Sequence, residues 1–249
     1  MKRLFFLSPM VISIVIMKCA LPMSGGSDIG GHPIPETESI LPLQEGNRWI
    51  YRYTLFDSTG TKTDFPAREL ELKVSRMFSL DSSGQLIRVS RSEWYDSTVQ
   101  YVYGLEWDAS DSGTLVSHRG TGPVELRGLY IEGTFRGSET YLLDTALLWY
   151  AYPVLTPGSW ELDPPGDEDT AVISMECLTK NGTAWMYRHD DNSPSPLLFI
   201  DSCYVYLQTS GDEASYHTSH PDYGEIAFRH YIKGVLRESY VLVAAFLNQ

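Results

Sequence analysis

Past Arg48 the chain alternates apolar and polar residues with a period of two almost everywhere. Trp49, Tyr51, Tyr53 and Leu55 fall on one face of an extended segment, with Arg52 and Thr54 on the other. Leu70, Leu72 and Val74 alternate with Glu69, Glu71, Lys73 and Ser75, and Val99, Tyr101, Tyr103, Leu105 and Trp107 with Gln100, Gly104 and Glu106. Successive side chains of a strand point to opposite faces, so this is the signature of antiparallel strands with one face in a core and one in water. Turn signals separate the runs: Asp57-Ser-Thr-Gly60, Asp81-Ser-Ser-Gly84, Asp111-Ser-Gly113, Asn181-Gly182, Gly211-Asp212 and Lys233-Gly234. The best helical stretch, residues 141–150, is followed by Pro153, which pushes what precedes it towards extended geometry. The pattern predicts an all-β fold, a curved antiparallel sheet or incomplete barrel built from hairpins.

The first forty residues read differently. Lys2 and Arg3 precede an apolar run from Leu4 to Met17 that is interrupted by Ser8, Pro9 and Ser13. Charge and length are those of a signal peptide, and the run is shorter than the roughly 20 apolar residues a bilayer span requires. Cys19 follows directly, at the place where a bacterial lipoprotein signal carries its lipid-accepting cysteine. Ile16 suits that motif, whereas Met17 and Lys18 depart from it. Ser24-Gly-Gly-Ser-Asp-Ile-Gly-Gly, then Pro33 and Pro35, form a flexible tether. The expected organisation is a signal peptide over 1–18, a tether over 19–40 and a single β-rich domain over 41–249. It implies a cell-envelope protein held to a membrane through lipid on Cys19, or a secreted one if Cys19 is unmodified.

Charge narrows the partners. The 249 residues carry 19 basic and 32 acidic side chains, for a net charge of −13. Loss of residues 1–18 removes Lys2, Arg3 and Lys18 and no acid, leaving 16 bases against 32 acids, or −16. Such a surface repels phosphate backbones, which excludes nucleic acid as a partner.

One element recurs. Pro42-Leu43-Gln-Glu-Gly46-Asn-Arg-Trp49 and Pro153-Val154-Leu-Thr-Pro-Gly158-Ser-Trp160 both place Trp seven residues after Pro with Gly between, which suggests two similar half-sheets. The first copy, continued to Tyr51, resembles the P-L-x-x-G-N-x-W-x-Y opening motif of a broad group of bacterial envelope lipoproteins of unknown function. Members of that group repeat the element mid-chain and close with a glycine-containing hairpin, here matched by Tyr223 to Tyr240. Val154, Pro157 and the lack of a G-x-G in the hairpin depart from the pattern. The resemblance implies a β-rich envelope protein and transfers no catalytic residue.

Candidate chemistry is sparse. No G-x-S-x-G, H-E-x-x-H or phosphate-cradling G-x-x-x-x-G-K-S/T is present in the sequence. His217-Thr-Ser-His220-Pro-Asp222 and His189-Asp190-Asp191 read as hydrated turns, and Asp163 to Asp169 lacks calcium-loop spacing. Glu93, Glu106 and Glu132 read as solvent-face acids. The expectation is therefore no catalytic residue, no metal and no cofactor. With Cys19 lipidated, Cys177 and Cys203 remain as either a disulfide or two buried thiols. The aromatic stripe of Trp49, Tyr51, Tyr53, Tyr101, Tyr103 and Trp107 is open to two readings: packed core, or the lining of a concave sheet that holds an apolar or glycan ligand. The leading reading of function is a structural or interaction domain with no chemistry of its own. A binding module and an unrecognised hydrolase are the alternatives.

Overall fold

The structure, a computed structural model, describes residues 40–64, 68–80, 85–89, 100–119, 127–152, 158–162, 172–187 and 196–248. The expected signal peptide, Cys19, most of the tether and the second Pro-Gly loop lie outside these residues, as do His189, Glu93 and residues 163–169.

Among the described residues the alternation yields one sheet of thirteen strands, arranged as two meanders. The first runs β1 (Arg48–Leu55), β2 (Arg68–Leu80), β3 (Leu86–Arg88), β4 (Gln100–Trp107), β5 (Ser112–Arg119), β6 (Gly128–Arg136) and β7 (Glu139–Ala151). The second runs β8 (Ser159–Leu162), β9 (Ile173–Tyr187), β10 (Pro196–Ser210), β11 (Glu213–His220), β12 (Gly224–Ile232) and β13 (Val235–Phe246). Every pairing is antiparallel, and β1 joins the meanders by pairing β2 on one side and β13 on the other. The stretch with helical potential is strand β7, as the following proline implies. Sheet twist curls the twelve-strand path into a nearly closed barrel whose terminal strands, β7 and β8, meet at an unsealed seam. Side chains bridge it: Trp160 Nε1 donates to Leu148 O at 2.8 Å, and Tyr206 O–H to Ala151 O at 2.7 Å.

The inward residues form one core that takes in Trp49, Tyr51, Leu72, Val74, Tyr103, Leu105, Val116, Leu129, Met175, Tyr206, Phe228 and Leu242. Trp49 and Trp160 each stand in the first strand of their meander. They differ in burial: Trp49 is fully enclosed, whereas Trp160 is half-buried because β8 is a four-residue strand at the seam. A smaller cluster of Phe78, Val102, Leu115 and Phe135 lies on the opposite face of β2, β4, β5 and β6.

Strand ends alternate between the two ends of the barrel. The segment before β1 closes the end at which β1 begins, with Ile40, Leu41 and Leu43 buried in the core. Gly46 there adopts φ +89°, which favours glycine, and its N–H donates to Val74 O at 2.8 Å. Asn47, 1% exposed, donates to Pro42 O at 3.0 Å and accepts from the Asn248 N–H at 2.6 Å. Trp49 Nε1 donates to Tyr223 O at 2.7 Å. The opening motif thus fastens both chain ends of the domain to this end of the barrel.

The β9–β10 hairpin departs from the sequence expectation. Asn181-Gly182 is no turn; the strand continues to Tyr187, and the pair sits where bulges disrupt the ladder around Cys203 and Val205. A Cβ on Gly182 would lie 2.7 Å from Val205 Cγ2, so only glycine lets the strands approach here. Ser202, with φ 57°, marks the matching distortion on β10. β9 also packs against β12 and β13, from which β10 and β11 separate it in the sheet, so the hairpin bends inward across the interior.

Candidate functional site

The inner face carries a buried polar cluster where the sequence pattern implied a hydrated turn. His217 lies inside strand β11 and is 5% exposed; Glu225, near the start of β12, is 8% exposed. Both side chains reach the interior for a local reason. Ser215, His217 and Ser219 occupy the inward positions of β11, while Tyr216 points out. On β12 a register shift opposite Thr218 and Ser219 leaves Ile226 unpaired, so Glu225 and Ile226 are both buried.

Four groups then converge. His217 Nδ1 is 2.6 Å from Glu225 Oε1 and 2.7 Å from the Tyr150 hydroxyl. The Tyr240 hydroxyl donates to Glu225 Oε2 at 2.6 Å. Glu225 can only accept from the ring, so the tautomer that satisfies the pair carries its proton on Nδ1. Nε2 is left as a buried nitrogen without a hydrogen-bond partner, as is the hydroxyl of Tyr51 nearby. Burial first, and the Glu225 carboxyl second, push the phenols of Tyr51, Tyr150 and Tyr240 well above their ordinary range, so they stay protonated. Rings pack around them: Tyr51 against Tyr240 at 4.9 Å between centroids, Phe228 against Tyr240 at 4.7 Å, His217 against Phe228 at 4.9 Å and Tyr150 against Tyr206 at 4.8 Å.

Chemically, a carboxyl-oriented imidazole is half of a nucleophilic triad. Here the bare Nε2 faces the packed interior rather than a serine or cysteine, and the surrounding phenols are held neutral. The arrangement suits a hydrogen-bonded core. Along the same inner face, Phe228 stacks parallel to His230, whose Nδ1 is 2.9 Å from Ser215 Oγ and whose Nε2 is 3.9 Å from Glu213. His230 pairs across the sheet with Glu238, which accepts the Tyr53 hydroxyl.

The structure sorts the aromatic stripe. Trp49, Tyr51 and Tyr103 are enclosed in the core, while Tyr53, Tyr101 and Trp107 are half-buried against it. Trp107 packs on Tyr51 and Tyr240 at 5.8 and 5.9 Å. His220 accepts from the Asp222 N–H and ends β11. Glu132 is no solvent-face acid: it is 8% exposed and bound by Ser117, Gln100 and Arg119. Among the described residues no group of three or more His, Cys, Asp or Glu is arranged to hold a metal ion.

Of the two readings left open for Cys177 and Cys203, the structure holds two buried free thiols. β9 and β10 are neighbours, but Cys177 pairs with Tyr206 and Cys203 with Gly182. Three residues along β10 separate the two rungs by about 10 Å, beyond the roughly 7 Å Cα separation a disulfide spans. Burial raises both thiol pKa values, that of Cys203 to about 11.

No family model matches the chain, and no curated protein does. Two solved structures are similar in outline. One is a "putative lipoprotein" from Parabacteroides distasonis, 12% identical, with a TM-score of 0.34 over 84% of this chain and 99% of that one. The other is a "putative exported protein with YmcC-like fold" from Bacteroides fragilis, 13% identical, with a TM-score of 0.33 over 83% and 98%.

Proposed function

We propose that this is an exported, lipid-anchored protein of the cell envelope that works through its surface as a structural or interaction domain, with no chemistry of its own. The observation that carries the second half of this reading is the enclosure of the hydrogen-bonded pair His217 and Glu225 among neutral phenols and packed rings. A general base must touch the proton it removes. The basic start, short apolar run and Cys19 support export and anchoring. Fractionation and intact-mass analysis of the native protein test that half. A membrane-bound chain starting at lipid-modified Cys19 is expected. An unmodified start at or after Ala20 would remove the anchor.

A second reading, a binding module for a glycan or apolar ligand, is favoured by Tyr53 and Trp107. Both are half-buried inner-face aromatics, and Tyr53 is hydrogen-bonded to Glu238. Aromatic faces beside a carboxyl group suit sugar rings. Glycan-array binding that Trp107→Ala abolishes without loss of stability would move this reading to the front.

A further inference from the structure

The bent β9–β10 hairpin has two unlike faces. Ala184, Met186 and Ile200 are buried in the core, whereas Trp185 and Phe199 are 54% and 51% exposed. These two are cross-strand partners with ring centroids 5.0 Å apart, two rungs from the end of the ladder at Tyr187 and Pro196. Scattered exposed apolar residues are ordinary, but an edge-on Trp–Phe pair held out near a hairpin end is not.

Its position gives it meaning. Strands alternate in direction, so β9 ends and β10 begins at the end of the barrel where β1 begins and where Ile40 enters the fold. Ile87 on β3, 50% exposed, is also towards this end. Asp222 stands in the β11–β12 turn at this end, and the opposite end carries turns with Asp57, Asp108, Asp111, Asp212 and Lys233. Tyr141, Leu142 and Val172 are exposed on that side too, but Tyr141 is hydrogen-bonded to Glu139 and Asp144 follows closely. An anchor on Cys19 would join the domain through Ile40, at the same end as the pair.

We propose that the Trp185–Phe199 pair is a membrane-contact site, inserting into the lipid–water interface and setting the domain upright on its amino-terminal end. This rests on the envelope reading above. Trp and Phe are side chains that favour that interface. Lipid on Cys19, 21 positions before Ile40 in the sequence, would keep this end close to the membrane surface, so that a weak two-ring insertion suffices.

The test uses the full chain, lipidated and as the Cys19→Ser form, on phosphatidylcholine vesicles containing brominated acyl chains. Bromine quenches tryptophan that enters the bilayer, and the W185S/F199S variant reports how much of the signal comes from the hairpin. Quenching in the wild type that falls by about tenfold in the variant, at unchanged melting temperature, is expected. Equal quenching in both, or none in either, overturns the proposal. So does vesicle-independent binding of a protein partner that the variant loses. If Cys19 proves unmodified in the native protein, the anchor reading fails on its own, and the Cys19→Ser chain still reads the hairpin at high vesicle concentration.

Discussion

Replacing Glu225 by Ala strikes the centre of the buried network. The carboxyl group accepts from the Tyr240 hydroxyl and His217 Nδ1, at 2.6 Å each, and none of the three residues is more than 9% exposed. Each buried donor left without an acceptor costs about 1–3 kcal/mol, so two cost roughly 2–6 kcal/mol. The vacated side-chain volume adds to this, while the Tyr150 oxygen, 2.7 Å from the ring, takes over part of the imidazole proton. A loss of about 4 kcal/mol is expected, which for a domain of this size lowers the melting temperature by roughly 8–16 °C. Glu225→Gln keeps the shape and one acceptor but turns an amide donor towards a donor, at about 1–3 kcal/mol. Urea unfolding followed by tryptophan fluorescence gives both values, and the decisive comparison is a double-mutant cycle with Tyr240→Phe. Removing the phenol should cost about 1–2 kcal/mol less in the Glu225→Ala background, where its hydroxyl has already lost its acceptor. Additive effects within about 0.5 kcal/mol would refute the network.

Asn47→Ala removes the side chain that joins Pro42 to Asn248 and should cost about 2–3 kcal/mol by the same unfolding assay; a change under about 0.5 kcal/mol contradicts its role. His118 is drawn down to about 4 by burial, partly offset by a hydrogen bond with the Gly128 backbone. Its folded pKa lies below the ordinary 6.5, so the unfolded chain binds the proton first as pH falls. Stability should therefore drop between about pH 6.5 and 4, by up to about 3 kcal/mol, and His118→Leu should flatten that limb in melting scans. Cys177 and Cys203, buried with raised pKa values, should resist alkylation in the native protein and both react in urea without reductant. A mass two hydrogens short would restore the disulfide.

Strands were legible because their faces differ in polarity. Trp49, Tyr51 and Tyr53 against Arg52 and Thr54 announce β1 and its inner face without further information. The opening Pro-Leu-x-x-Gly-Asn element was legible as a strand start, and the hydrogen bonds of Asn47 supply its physical content. His217 was misread because β11 inverts the usual assignment: Ser215, His217 and Ser219 go in while Tyr216 goes out. Period-two spacing of Ser, His and Ser was the available signal, but polarity outweighed it. Glu225 reaches the interior through a bulge, which single-sequence alternation does not encode. Asn181-Gly182 carries a hairpin signal that the long β10 partner strand overrides. Tyr53 and Trp107 share the parity of Tyr51 and Tyr103, and what leaves them half-buried is where they sit along the barrel.

The central claim is that the barrel works by its surface and keeps its interior for its own side chains. Native mass spectrometry of the protein purified from its native source reads this most directly. The account predicts the mass of the polypeptide and its own covalent modifications alone, with no further species released on denaturation. A stoichiometric organic ligand that leaves only when the chain unfolds would contradict it, and would make the aromatic inner face a binding site.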